Sequence, residues 1–186
     1  LGEGQSGHIE HVGFSLFMDM LDRAVKSLKS GKTPNVDITT PAQTDVNLRV
    51  PALIPDDYLG DVHSRLILYK RIASATTEAE LKELQVEMID RFGMLPDGVK
   101  NLMRQTELKL KAEPIGIDKI DAGDTKGKFT FGKETSVDPF TLVQLVQANS
   151  QKFGLTSGNE LSFRLNSAKP DDKLREINEM LTLLGK

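Results

Sequence analysis

The pattern of apolar side chains changes character close to Pro114. Before that residue, capping residues, glycines and prolines delimit three helices, predicted over about 61–73, 77–93 and 96–112. Asp61 is a good N-cap for the first helix, and Thr77 with Glu80 has the spacing of a capping box at the second. After Pro114 the apolar runs become short and are separated by turn residues, which favours strands.

The elements after Pro114 predict a small sheet with covering helices. We expect strands at Ile115–Ile120, Lys128–Phe131 and Glu160–Leu165, a turn at Asp121–Gly127, and helices from Pro139 to about Asn149 and over Pro170–Leu184. A short strand is also expected where Val46, Leu48 and Val50 alternate with polar residues before Pro51. Helices in one block and interleaved strands in another predict an α+β fold with a small mixed or antiparallel sheet, not a doubly wound parallel sheet.

The N-terminal part is predicted to be a helical extension of this domain. Apolar residues at spacings of three and four predict an amphipathic helix from about Ile9 to Ser30, and the polar, Pro- and Thr-rich run Lys32–Thr44 predicts a linker. We therefore divide the chain into an extension, 1–45, and a domain, 46–186. The chain opens on a glycine-rich polar run without Met, so we expect a piece of a longer polypeptide.

Composition restricts the function classes. The chain has no cysteine, which excludes disulfides, a thiol nucleophile and thiolate metal ligands. No apolar run approaches the ~20 residues needed to span a bilayer, so we expect a cytoplasmic protein without a membrane partner. The net charge is −3, Trp is absent and basic residues are in excess in no segment, which disfavours direct nucleic-acid binding by this chain alone.

Three motif-like patterns lack the context that their chemistry requires. Gly2–Gly7 satisfies G-x-G-x-x-G, but no strand precedes it, and Ser30–Thr33 imitates the end of a P-loop where a helix closes. His8 and His11 could share a helix face, but no third metal ligand is obvious. We therefore predict no catalytic residue, metal site or cofactor in this chain.

The second predicted helix carries the best candidate for a functional surface. At ~100° per residue its carboxylates form one outward row, and its apolar residues form a separate stripe that we expect in the core. The row contains Glu80, Glu83, Glu87 and Asp90, with Val86 on its flank, and the stripe contains Leu81, Leu84, Met88 and Phe92. Such a row is compatible with an ordinary solvated face, but an exposed apolar residue beside it suits docking onto a basic partner.

Several runs of residues resemble the C-terminal end of bacterial transcription-repair coupling factors, the Mfd family. The matching runs are Leu1-Gly2-Glu3, Gln5-Ser6-Gly7-His8-Ile9, Val12-Gly13-Phe14, Leu16-Phe17-Met18, Leu53-Ile54-Pro55-Asp56-Asp57-Tyr58, Arg65-Leu66, Tyr69-Lys70-Arg71-Ile72-Ala73 and Glu87-Met88-Ile89-Asp90-Arg91-Phe92-Gly93. They occur in order over most of residues 1–113. After Pro114 only the order of strands and helices is similar.

The resemblance implies a regulatory role. In this family an ATP-driven DNA translocase removes stalled RNA polymerase and recruits UvrA, while the C-terminal domain packs on a UvrB-like N-terminal module and masks its UvrA-binding surface. Gln5, Ser6 and Gly7 would belong to the tail of the translocation motif. ATP and Mg would bind the parent's motor lobes, which this chain lacks, so we expect no ATP hydrolysis by this chain. Glu87 and Asp90 would pair with arginines of the module.

The sequence is also compatible with two other functions. The chain could be an enzyme of unknown class, with a site within residues 114–186 where carboxylates or histidines converge in a pocket. It could also be a DNA-contacting accessory domain if Lys126, Lys128 and Lys133 form one patch.

Overall fold

The computed structural model of the chain describes residues 43–157 and 159–186. The predicted helix from Ile9 to Ser30, most of the linker, the Gln5-Ser6-Gly7 segment and the pair His8 and His11 lie outside the described residues. The predicted division between residues 45 and 46 stays a prediction.

Three helices form the first block of the domain. They are α1 (Val62–Ser74), α2 (Glu78–Phe92) and α3 (Asp97–Ala112). The Asp61 carboxylate accepts a hydrogen bond from the Ser64 N–H at 3.1 Å, and the Thr77 hydroxyl accepts one from the Glu80 N–H at 3.2 Å. These bonds satisfy backbone donors that a helix start leaves without an intrahelical acceptor, so both predicted helix starts are confirmed.

Within the described ranges, five strands form one sheet in the order β1-β2-β3-β5-β4. The strands are β1 (Asp45–Asn47), β2 (Ile117–Ala122), β3 (Lys126–Phe131), β4 (Phe153–Ser157) and β5 (Glu160–Arg164), and the helices α4 (Pro139–Ala148) and α5 (Pro170–Leu184) complete the domain. The β1–β2 pair is parallel and the other three pairs are antiparallel. The predicted α+β class with a mixed sheet is confirmed.

The strands differ from the prediction in three places. β1 ends at Asn47, short of the expected Val50, because Arg49 adopts a positive φ of 53° that a strand cannot contain. The β2–β3 hairpin is displaced and tighter than expected: Ala122 pairs with Gly127, which leaves four residues, 123–126, in its loop. β4 was not predicted.

Helix α3 joins two hydrophobic cores. Its first half places Val99 and Met103 in a core shared with α1 and α2, and its second half places Leu108 and Ala112 in a core beneath the sheet. The helical core also contains Leu68, Ile72, Leu81, Leu84 and Met88, and the sheet core contains Ile120, Phe129, Leu161, Phe163, Leu174, Ile177 and Leu181. Because both cores use one helix, α3 fixes α2 relative to the sheet.

The segment that leads into the helical block, residues 44–54, is held by hydrogen bonds to four elements, β2, α5, α3 and α1. We call it the anchored segment. Its bonds are Thr44 Oγ1 to Ile117 O (2.6 Å), Lys173 Nζ to Leu48 O (3.1 Å), Asn101 Nδ2 to Pro51 O (2.8 Å) and Ile54 N to Tyr69 Oη (2.7 Å). The segment therefore ties β2 and α5 to α1 and α3.

Candidate interaction surface on helix α2

The apolar stripe of α2 sets which side of the helix faces outward. Leu81, Leu84 and Met88 are buried in the helical core, and Phe92 is half-buried against it. This stripe is the one expected from the helical spacing. The opposite side of α2 is consequently exposed, and it carries the acidic row.

Glu80 belongs to the start of the helix. Its carboxylate accepts hydrogen bonds from the Thr76 N–H at 2.8 Å and from the Thr76 hydroxyl at 3.1 Å. The Glu80 N–H also donates to Thr77 Oγ1, so Thr77 caps the helix while the Glu80 carboxylate holds Thr76, the residue before the N-cap. Glu80 thus stabilises α2 locally, and it is not a free carboxylate of the row.

Glu87 is bound by two arginines of the same domain. Arg71 on α1 donates from Nη1 to Oε1 at 2.8 Å and from Nη2 to Oε2 at 2.6 Å, and Arg91 donates from Nη1 to Oε1 at 3.2 Å. The hydrogen bonds from Arg71, aided by the charges of both arginines, lower the pKa of Glu87 from 4.5 to about 2. Glu87 is therefore ionised at neutral pH, and its charge is compensated within the domain.

Glu83 and Asp90 are exposed, and neither takes part in a hydrogen bond or ion pair among the described residues. Val86 lies between them in sequence, at spacings of three and four, so all three share one side of the helix. Its side chain is 59% exposed. Two unpaired carboxylates flanking an exposed apolar side chain form a surface suited to a basic partner that also offers apolar contact. We call Glu83, Val86 and Asp90 the α2 surface.

The C-terminal end of α2 is fixed by a residue to which the sequence had assigned no role. The Tyr58 hydroxyl lies 3.2 Å from the Met88 carbonyl and 3.0 Å from the Gly93 carbonyl, positioned to donate to these acceptors. The Tyr58 ring packs edge-on against Phe92, with centroids 6.0 Å apart, and the Arg91 guanidinium lies 4.9 Å from the centre of the Phe92 ring. These contacts hold the last turn of α2, which carries Asp90.

The lysines considered for DNA contact do not form one compact patch. Lys126 and Lys128 share the outer face of β3, whereas Lys133 lies in the turn after Phe131, beyond the other end of a strand that spans roughly 17 Å at the usual rise per residue. Lys128 is also paired with Glu160 at 3.2 Å. The condition set for the DNA-contacting alternative is therefore not met by these three residues.

A shallow cavity of about 380 Å³ lies beside α5, within the part of the chain considered for a catalytic site. Its lining residues are Lys152, Asn166, Ser167, Asp172, Arg175, Glu176 and Glu179. Both oxygens of Glu176 accept from the Asn166 N–H at 3.1 and 3.2 Å, and Asp172 is paired with Arg175 at 2.9 Å. Two of the three lining carboxylates are used in the domain's own bonds, which leaves Glu179 alone and not a converging pair, so we assign no catalytic residue to the cavity.

Two further features are absent from residues 43–157 and 159–186. There, no group of three or more His, Asp or Glu side chains is placed to hold a metal ion. In the same ranges, no helix is both long and apolar enough to cross a membrane.

The fold has a counterpart among solved structures. The crystal structure of the C-terminal domain of transcription-repair coupling factor superposes with a TM-score of 0.65 at 24% sequence identity, covering 77% of this chain and 95% of that one. The described residues thus form an α+β domain of the kind found in that C-terminal domain. The family model of the TRCF domain matches residues 48–142, which include all of α1, α2 and α3. The chain belongs to the TRCF domain family.

Similar proteins of known sequence include transcription-repair-coupling factors of several bacteria. That of Haemophilus influenzae is 55% identical over 147 residues, 79% of this chain, and that of Escherichia coli is 45% identical over 181 residues, 97% of this chain. The matched regions are 13% and 16% of the length of those two relatives. The similarity therefore concerns one part of much longer proteins.

Proposed function

We propose that the chain is the regulatory C-terminal domain of a transcription-repair coupling factor and acts by docking onto a UvrB-like N-terminal module of the same polypeptide. In the docked state it masks the UvrA-binding surface and holds the protein autoinhibited. Membership of the TRCF domain family and the names of the relatives support this role. The observation that carries the proposal is the α2 surface, where Glu83 and Asp90 lie unpaired on either side of the exposed Val86.

We propose further that the parent protein is an ATP-dependent DNA translocase of transcription-coupled repair. ATP and Mg would be held by motor lobes outside this chain. RNA polymerase and UvrA are indirect partners of the domain, and DNA is contacted by the motor. Gln5, Ser6 and Gly7 are proposed as the tail of the translocation motif.

In this proposal the four carboxylates predicted from the sequence have different roles in docking. Glu83 and Asp90 are free to pair with basic side chains of the module, and Val86 supplies apolar contact. Glu87 contributes to the same face but is shared with Arg71 and Arg91. Glu80 contributes through the helix cap. Partly exposed carboxylates of this kind mainly accelerate association and fix its register.

The proposal is tested by the affinity of this chain for the isolated UvrB-like module as salt is raised. The variant Glu83→Gln/Asp90→Asn should bind more weakly and should lose much of the salt dependence, because the two unpaired charges are removed. A matched control is Asp118→Asn/Glu179→Gln, which removes the same charge from two exposed residues outside α2. If both double variants weakened binding equally, α2 would not be the docking surface. A wild-type chain that does not bind the module would contradict the proposal as a whole.

A further inference from the structure

The arginines around Glu87 occupy most of its capacity to accept hydrogen bonds. A carboxylate has about four lone-pair sites, two on each oxygen. Oε1 accepts from Arg71 and from Arg91, and Oε2 accepts from Arg71. One site, on Oε2, is left for any further donor.

A partner arginine therefore cannot bind Glu87 with both arms while these bonds persist. A fork-to-fork pair needs one open site on each carboxylate oxygen, and Oε1 has none. The partner must either accept a single bond to Oε2 or displace Arg71 or Arg91. Displacement exchanges one ion pair for another of the same kind, so it adds little net affinity.

We propose that Arg71 competes with the basic partner for Glu87, which lies beside the α2 surface, and thereby limits the affinity with which helix α2 binds that partner. The inference rests on the proposed function, since it concerns the regulation of the same surface. Arg71 reaches Glu87 from α1 and binds it with two short bonds, of 2.8 and 2.6 Å, so it is a stronger competitor for Glu87 than Arg91, which makes one bond of 3.2 Å. Glu83 and Asp90 have no such competitor among the described residues. A domain that must both dock and release benefits from a contact of limited strength.

The contribution of Arg71 can be separated from a general change of charge. Arg71→Gln leaves Glu87 bound by Arg91 alone and removes one positive charge. Arg104→Gln is the matched control, because Arg104 also forms an exposed pair, with Asp171 at 2.8 Å, but on α3 and away from Glu87. Arg71→Lys keeps the charge but cannot present two parallel donors.

The experiment measures binding of each full-length variant of this chain to the UvrB-like module at fixed salt. Arg71→Gln should bind about two- to five-fold more tightly than Arg104→Gln, the range that a surface ion pair is worth. Arg71→Lys should lie between Arg71→Gln and the wild type. Adding Glu87→Gln should abolish the gain, because Arg71 is argued to act through Glu87 alone.

The outcomes distinguish this inference from the function on which it rests. If Arg71→Gln binds no more tightly than Arg104→Gln, or keeps its gain without Glu87, the competition does not exist. If either result is obtained while Glu83→Gln/Asp90→Asn still weakens binding, the α2 surface is supported as the docking site and only the role of Arg71 is refuted. If no variant binds the module, both fail. Urea unfolding of each variant confirms that the folded chain is compared.

Discussion

The ammonium group of Lys173 lies 3.1 Å from the carbonyl oxygen of Leu48, although the two residues are 125 positions apart in sequence. The Lys173 side chain is 1% exposed. It also forms an ion pair with the exposed carboxylate of Asp124 at 3.8 Å. A buried ammonium needs hydrogen bonds to offset its loss of hydration. This contact joins the first turn of α5 to the anchored segment and so ties the two ends of the domain together.

Replacing Lys173 by Met should destabilise the domain. Met fills much of the same volume but leaves the Leu48 carbonyl without this donor, so we expect a loss of about 1–3 kcal/mol in the free energy of unfolding. Lys111→Met is the control, since Lys111 donates to Asn178 and Thr182 at an exposed site. Urea unfolding compares the two. Unchanged or higher stability of Lys173→Met would show that burying the charge costs more than its bond returns.

Two glycines with positive φ should respond differently to alanine. At Gly93 (φ 95°) an added Cβ has no heavy atom within 4 Å, whereas at Gly116 (φ 81°) it would lie 2.5 Å from Thr135 Cα. Gly93→Ala should therefore lose about 1–3 kcal/mol from backbone strain alone. Gly116→Ala should lose roughly a further 1–3 kcal/mol through overpacking. Equal losses in thermal or urea unfolding would mean that the backbone at Thr135 moves aside freely.

The Arg71–Glu87 pair should leave a signature in the acid stability of the domain. The pKa of Glu87 is lowered from 4.5 to about 2 by the hydrogen bonds of Arg71, so the pair stabilises the fold above pH 4.5 and is lost as the pH falls towards 2. Between these values the stability of the wild type should decline more steeply than that of Glu87→Gln. If the stabilities of the wild type and Glu87→Gln fell in parallel over this pH range, the pair would make no contribution to the stability of the fold. In carboxyl NMR titrations, Arg71→Gln should move the pKa of Glu87 back towards 4.5.

The hydroxyl of Tyr58 should stabilise the last turn of α2. Tyr58→Phe keeps the ring against Phe92 but removes the donor to the Met88 and Gly93 carbonyls, at an expected cost of about 1 kcal/mol. Amide hydrogen exchange should accelerate mainly at the end of α2. Tyr69→Phe, which removes an acceptor of the Ile54 N–H, is the control and should affect the anchored segment instead. Identical exchange patterns in the two variants would refute the local role of Tyr58.

Local signals explain which parts of the fold could be predicted. Asp61 and Thr77 satisfy helix starts through bonds to residues three positions away, so the sequence contains the whole interaction. β4 was missed because the run is short and contains Gly154, which weakens a strand signal, and because its place at the sheet edge depends on pairing with β5. Pairing between elements is a tertiary property that a short window does not contain.

The same distinction between local signals and tertiary packing applies to the candidate surface. The outward direction of Glu83, Val86 and Asp90 followed from helical periodicity within α2. The engagement of Glu87 did not, because Arg71 is sixteen residues away on another helix and meets it only when α1 and α2 pack together. Tyr58 reaches Gly93 across thirty-five residues in the same way. Periodicity thus identified the face, and packing decided which of its carboxylates are free.

The most direct measurement of the central claim is an amide chemical-shift map of this chain as the UvrB-like module is added. We predict that the perturbed signals centre on Glu83, Val86 and Asp90 and extend to Arg71 across the helix pair. The outer face of the sheet, marked by Lys126, should change little. Perturbations centred on the sheet or on α4, with α2 unchanged, would contradict the assignment of α2 as the docking surface.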